Sequence, residues 1–342
     1  MKCIITTLVV VAISALLFAG FLLAYVSSIP QGGQGPAEVR VEQGESFAAV
    51  VRKLRQQKVI GNERLFSLWA RFSGVEKKIH WGLYRFDAPL PPREVLDRMI
   101  MGKGVFQSVT IPEGFTVKEI ADLLANLQIA DKDKFLAEAA NPELLASVGL
   151  QDKGIEGYLF PNTYHFTPGT PARDVIMAMA EQFRRFSVPL LEQRSEAVQL
   201  SPHEIITLAS IIEKETGVEA ERPVVSAVFY NRLQRHMPLQ SDPTVIYGLK
   251  DFNGNLTKKD LHDANPYNTY RIPGLPPGPI CNPSLSSIKA ALHPAGVPFL
   301  YFVSKNDGTH LFSETFEAHN QAVKMYQPVR EPASQQRNSR RQ

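Results

Sequence analysis

The stretch Ser201-Pro-His-Glu-Ile-Ile-Thr-Leu-Ala-Ser-Ile-Ile-Glu-Lys-Glu-Thr-Gly217 constrains this chain more than any other, because it specifies a helix at both ends and along its length. Ser201 can accept from the amide three residues on, Pro202 suits the first helical position, and Glu204 can reach back to the Ser201 amide. Ile205, Leu208, Ala209 and Ile212 fall on one face at helical spacing, so this helix packs into the core of a domain. Thr216-Gly217 ends it. Just before the break stand Glu213 and Glu215. At ~100° per residue, Glu215 lies about 70° from the centre of the apolar stripe and Glu213 about 90° on the other side. Both can reach the wall of a cleft. A carboxylate there is partly desolvated, which raises its pKa and suits it to general acid catalysis. From spacing alone, two solvated charges closing a helix are the commoner outcome.

Composition narrows the classes. A net charge of +3 over 342 residues leaves no footprint for nucleic acid, and no nucleic-acid partner is expected. Of the two cysteines, Cys3 borders an apolar run and Cys281 has no evident partner, so there is no disulfide framework. Cys281 reads as a small core hydrophobe. No His-x-x-Glu-His or Cys-x-x-Cys spacing marks a metal site, and no glycine loop marks a phosphate site, so no cofactor is expected. Ser286-Ser-Ile-Lys289 has the Ser-x-x-Lys spacing of penicillin-binding enzymes but lacks their companion motifs. A periplasmic peptidase would need a nucleophile or metal set that cannot be recognised here.

Ile4 to Val26 is an apolar run interrupted only by Ser and Thr, long enough to span a bilayer. Cleavage as a signal competes with that reading, but no clean Ala-x-Ala site follows. Lys2 precedes the run and no basic residue follows until Arg40, so the N-terminus stays cytoplasmic and the body is exported. The expected layout is cytoplasmic residues 1–3, a membrane helix 4–26, a flexible Gly- and Pro-rich tether 27–38, a small module 39–107, a larger domain 108–326 and a disordered basic tail 327–342. The fold class expected is α+β.

Within that layout, Val39 to Val41 reads as a strand and Phe47 to Leu54 as a helix capped by Ser46. Val109 to Ile111, Gly114 and Thr116 repeat the same strand–cap–helix design. Glu63 to Phe72 reads as a helix with Leu65, Phe66, Leu68, Trp69 and Phe72 inward, Gly82 to Phe86 as a strand, and Pro92 to Met101 as a helix. Trp81, Tyr84 and Phe86 suit stacking on sugars, though such aromatics are more often core. Lys132 to Leu150 reads as helical, Ile155 to Tyr164 as a strand ending in a loop, and Arg173 to Phe186 as a helix. Pro223 to Arg235, Val245 to Leu249 and Pro283 to Leu292 are further helices. Residues 262–283 form a long ordered loop, which is usually functional. Phe299 to Val303 and His310 to Ser313 read as a hairpin, and Thr315 caps a last helix to about Tyr326.

Leu208-Ala-Ser-Ile-Ile-Glu-Lys-Glu-Thr-Gly217 and Glu221-Arg222 are followed by Tyr230-Asn-Arg-Leu233, Leu239-Gln-Ser-Asp-Pro-Thr-Val-Ile-Tyr-Gly248, Tyr267-Asn-Thr-Tyr270, Gly274-Leu-Pro-Pro-Gly278, His293-Pro294 and Phe299-Leu-Tyr-Phe-Val303. In this order, over nearly the whole chain, they resemble the YceG-like family of endolytic murein transglycosylases. Glu215-Thr216 is similar to the Glu-Ser step that ends the catalytic helix of soluble lytic transglycosylases, so the family's essential glutamate should fall on Glu215. The block Ile155 to Tyr164 also resembles the family, with Asn162 where Asp is usual. Position 162 is therefore expected to supply a hydrogen bond or turn rather than a charge.

The resemblance implies scission of the MurNAc–GlcNAc bond within peptidoglycan glycan strands, leaving a 1,6-anhydroMurNAc end and ending elongation of nascent strands. Most glycosidases use two carboxylates; here one glutamate would act as acid and then as base. Gln240, Asp242, Tyr247, Asn265, Tyr267, Asn268, Thr269 and Tyr270 would hold the sugar, with Glu213 or Asp242 available to assist. Singly, each of the eight reads more readily as a turn or surface residue. The resemblance also implies a LysM-like small module, a cell inner membrane location with a periplasmic body, and peptidoglycan synthases as protein partners. A non-catalytic wall-binding or division scaffold stays open as a second reading. Retention of Glu215 favours the enzyme.

Overall fold

The computed structural model describes residues 2–30, 36–42, 44–102, 104, 107–150, 153–194 and 198–327, with side chains from residue 6 onward. The elements are α1 (Lys2–Ser27), β1 (Ala37–Val41), α2 (Phe47–Gln56), α3 (Glu63–Phe72), β2 (Gly82–Phe86), α4 (Pro92–Ile100), β3 (Gln107–Thr110), α5 (Val117–Asn126), α6 (Lys132–Ala139), α7 (Pro142–Ser147) and β4 (Thr163–Phe166). After these come α8 (Ala172–Glu192), α9 (Pro202–Glu215), α10 (Arg222–Gln234), α11 (Asp242–Gly248), α12 (Leu285–Leu292), β5 (Tyr301–Ser304), β6 (His310–Ser313) and α13 (Phe316–Tyr326). The architecture is mixed helix and strand, with three two-stranded sheets among the described residues. The chain divides into two units. One comprises residues 1–109, 127–130 and 164–170, and the other comprises 110–126, 131–163 and everything from 171 on.

In the first unit β1 and β2 pair antiparallel, with Val39 opposite Tyr84. Alternation turns Ala37, Val39 and Val41 inward. They pack with Val50, Leu54, Phe66, Val95 and Met99 into one core. Ser46 starts α2 by accepting from the Ala49 amide. One expectation is adjusted. Phe72 is 73% exposed rather than inward, because the last turn of α3 runs past the core. Tyr84 and Phe86 are core, while Trp81 packs partly buried against them. The end of α1 also has a fixed partner. The Tyr25 hydroxyl donates to the Asn62 carbonyl at 2.8 Å and accepts from the Asn62 amide at 3.0 Å, fastening the end of α1 to α3. Residues 31–35 of the tether lie outside the described residues. Within α1, Thr6–Ser27 is 22 residues long with mean hydropathy 2.6, long and apolar enough to cross a membrane.

The second unit is built around α9. Its capping box is present in full, Ser201 accepting from Glu204 and Glu204 accepting from the Ser201 amide. All eight residues from Ile205 to Ile212 are buried, so the expected single apolar stripe is in fact a helix enclosed on every side. Neighbours α10, α11 and α12 surround it. Its polar residues are satisfied internally, Thr207 donating to the His203 carbonyl and Ser210 to that of Thr207. Each fully buried Ile or Leu contributes roughly 1.5–3 kcal/mol. The enclosed helix thereby gives the site at its end a rigid base.

Other elements differ in detail. Lys132 to Leu150 is two helices, broken where Asn141 caps α7. Residues 155–160 are turns and the strand comes after them, at 163–166. The cause is local. Gly157 takes φ +88°, and a Cβ there would lie 2.5 Å from Pro279. Asn162 accepts from the Thr163 amide through its side chain at 2.8 Å, a turn role without charge. α8 extends through Pro189 to Glu192. Gly114 repeats the positive φ of Gly44, and Thr116 and Glu119 cap α5 reciprocally. The β5–β6 hairpin pairs Tyr301 with Ser313 and Ser304 with His310. Cys281 is fully buried. The tail from residue 328 lies outside the described residues.

Candidate active site

α9 ends at Glu215 and Thr216 takes an extended conformation, so the Glu215 side chain emerges where the buried helix meets open space. It lines a cleft of about 370 Å³ with Arg232, Gln240, Asp242 and Tyr270. Phe302, His310, His319 and Val323, from the hairpin and α13, complete the lining. Each part is placed by a separate element. α10 supplies Arg232, the start of α11 supplies Asp242, and the loop before α12 supplies Tyr270.

Glu215 is half-buried, and burial pushes its carboxyl up to about 7. The Ser241 hydroxyl, donating to Oε1 at 2.5 Å, works against that rise, the Asp242 charge adds to it, and Arg232 opposes it. At neutral pH a substantial fraction of Glu215 therefore carries a proton to give. Arg232 is held off the carboxylate by other partners: its Nε donates to the Leu300 carbonyl at 2.7 Å and its Nη1 to that of Leu239 at 2.9 Å. Its guanidinium also lies over the Tyr301 ring, 5.3 Å from the centroid.

The long loop holds the α11 side of the cleft. Thr269, fully buried, accepts from the Ser241 amide at 3.0 Å and shares a 2.8 Å bond with Thr244. Its carbonyl accepts from the Gln240 amide, and Gln240 takes φ +50° there. Asn268, equally buried, donates to the Leu261 and Asp263 carbonyls and accepts from the Tyr270 amide. Asn265 accepts from the Tyr267 amide and packs so close to Gly248 that a Cβ there would meet it at 2.2 Å. Asn265, Asn268 and Thr269 are thus pins of the loop, while Gln240, Asp242 and Tyr270 reach the cleft.

Tyr247 and Tyr267 are at a second cluster. Their rings lie 4.8 Å apart, and the Tyr247 hydroxyl donates to Glu156 at 3.3 Å. Glu156 also accepts from the Val117 amide and from Asn282 Nδ2, each at 3.1 Å. Burial outweighs these donors and pushes its carboxyl up to about 8.

Glu213 is elsewhere again. It is paired with Arg222 at 3.1 Å, with both side chains under 10% exposed, and it accepts from the Ser284 amide and hydroxyl. That pairing joins α9, α10 and the start of α12. Glu213 does not line the cleft with Glu215.

Sequence reasoning missed Ser241, Arg232 and Glu156 as site residues. Each had a signal: Ser241 stands between two nominated residues, Arg232 lies in Tyr230-Asn-Arg-Leu233, and Glu156 lies in an aromatic block.

A model of the YceG-like family matches residues 39–325. An endolytic murein transglycosylase of Bacillus subtilis is 32% identical over 304 residues, covering 84% of this chain and 84% of the relative. One from Streptococcus pneumoniae is 28% identical over 83% of this chain, which spans only 57% of that longer protein. The solved structure of a yceG-like protein from Listeria monocytogenes is 34% identical, with a TM-score of 0.58 over 84% of this chain and 98% of that one. From the first strand of the small unit to the last helix of the large one, this chain belongs to the YceG-like family.

Proposed function

We propose that this chain is an endolytic murein transglycosylase with Glu215 as its single acid and base. The observation that carries the reading is one partly protonated carboxylate at the end of a rigid buried helix, lining a polar cleft. The activity is that named for the relatives from Bacillus subtilis and Streptococcus pneumoniae. Glu215 gives its proton to the glycosidic oxygen as the bond from C1 of MurNAc to that oxygen breaks. The C6 hydroxyl of the same sugar then attacks C1, and its proton passes to Glu215. No water is consumed, the acid is regenerated, and the new end is 1,6-anhydroMurNAc. Gln240 and Tyr270 hold the sugar beside Glu215. Asn265, Asn268 and Thr269 set the loop, and Tyr247 and Tyr267 support α11. This cleft gives no support to the non-catalytic scaffold reading.

α1 anchors the body in the inner membrane with the N-terminus cytoplasmic, supported by its length, its hydropathy and Lys2 ahead of it. Residues 39–107 form a LysM-like module and 108–326 the catalytic domain, a division that follows from the resemblance. The peptidoglycan synthases remain the protein partners to test. Glu215→Gln keeps shape but removes the donor, so turnover on purified glycan strands should fall by ~10² or more with melting unchanged. Mass spectrometry of the wild-type products should show anhydro ends. Ends formed by water would instead make the enzyme a hydrolase.

A further inference from the structure

A second carboxylate shares the cleft with Glu215. Asp242 is the first residue of α11 and is exposed, and its position is set from two directions. Along the chain, Ser241 before it is fastened to Glu215 through its hydroxyl and to Thr269 through its amide. From the long loop, the Tyr270 hydroxyl donates to Asp242 Oδ1 at 2.6 Å, and Asp242 and neighbouring Glu215 both act on the Tyr270 phenol. Oδ2 accepts no hydrogen bond among the described residues, so one oxygen is clamped and the other is open to a bound sugar. No Lys or Arg forms an ion pair with it there, and Arg232 in the same cleft is engaged by backbone carbonyls. A clamped carboxylate with one free oxygen and no paired cation keeps its negative charge available to a positive charge that forms beside it.

We propose that Asp242 is a second catalytic residue, an ionised carboxylate that stabilises the positive charge developing on the sugar ring as Glu215 protonates the leaving oxygen, with Tyr270 as its positioning residue. This rests on the transglycosylase reading of Glu215. When the Glu215 proton moves to the bridging oxygen, the C1–O electron pair leaves with that oxygen, and positive charge spreads over C1 and the ring oxygen. Asp242 forms no bond and takes no proton. Its fixed charge favours that state over the neutral ground state, which raises kcat rather than tightening binding. The C6 hydroxyl then closes on C1 and its proton returns to Glu215.

Asp242 also holds Glu215 protonated by charge repulsion, and that gives a readout no purely structural role would move. The other ionisable groups lining the cleft are Arg232, Tyr270, His310 and His319. The experiment is steady-state kinetics of the full chain on purified glycan strands across pH, for Asp242→Asn and Tyr270→Phe, with folding checked by melting. Asp242→Asn is expected to lower kcat on the order of 10²-fold with KM changed less than about threefold. The pH above which kcat/KM falls should move down, because Glu215 then loses its proton more readily. Tyr270→Phe, which keeps the charge but frees the carboxylate, should lose less activity than Asp242→Asn. A folded Asp242→Asn with near wild-type kcat overturns the proposal. So does a loss confined to KM with the pH limb unmoved, which would make Asp242 a hydroxyl-binding group. If Asp242→Asn fails to fold, a Tyr270→Phe enzyme with wild-type kcat overturns it instead. Full activity in Glu215→Gln would overturn the underlying reading, separately from either variant.

Discussion

The Ser241 hydroxyl donates to Glu215 Oε1 at 2.5 Å, from a residue that is itself almost wholly buried. The bond favours the ionised carboxylate and so restrains the rise that burial causes. Catalysis by Glu215 as an acid needs the proton in place, so kcat/KM should fall as pH rises through about 7. Ser241→Ala removes a force that lowers the pKa, so the falling limb should move to higher pH. A pH–rate profile of the two proteins checks the sign, which is opposite to that expected for Asp242→Asn.

Glu213 should prove structural. Glu213→Ala strands the buried Arg222 guanidinium without its carboxylate, at a cost of about 3–5 kcal/mol. Thermal melting should show the loss, while turnover per folded molecule at low temperature stays within about threefold of wild type. A folded but inactive Glu213→Gln enzyme would put Glu213 in the chemistry.

Glu156 should make stability depend on pH. Its carboxyl is raised to about 8 in the folded chain, which therefore holds a proton that the unfolded chain has already released. That contribution is complete below the ordinary carboxylate range and is lost as pH rises through about 8. Comparing melts at pH 6 and pH 9, wild type should lose at least about 1 kcal/mol more than Glu156→Gln.

Gly157→Ala should be among the most damaging small substitutions. It combines a strained φ of +88° with a Cβ placed 2.5 Å from Pro279. A loss of at least ~2 kcal/mol is expected. Gly254→Ala has a similar φ but no atom within 4 Å of its Cβ, so it should cost only the strain. Denaturant titration of both variants separates the two terms.

Local chemistry was readable along the chain. The Ser201 capping box, the Ser46 and Thr315 caps, the Gly44 and Gly114 turns and the apolar run of α1 are each written within a few consecutive residues. The helix end before Thr216-Gly217 was readable too, but the choice of Glu215 over Glu213 came from the family resemblance and not from spacing. Tertiary structure decided what separates residues that look alike in sequence. Glu213 and Glu215 differ by two positions, and at ~100° per residue that rotation turns one toward Arg222 and Ser284 and the other into the cleft. Asn265, Asn268, Thr269 and Tyr270 form one polar run, yet only Tyr270 lines the cleft, because Asn265 and Asn268 spend their hydrogen bonds within the loop and buried Thr269 spends its own on Ser241 and Thr244. Asp242 was nominated by the resemblance, whereas Arg232 was no more conspicuous than any other charge in the sequence. They become site residues only because α10 and α11 both pack on α9, and contacts between distant segments leave no periodic mark in the sequence that makes them.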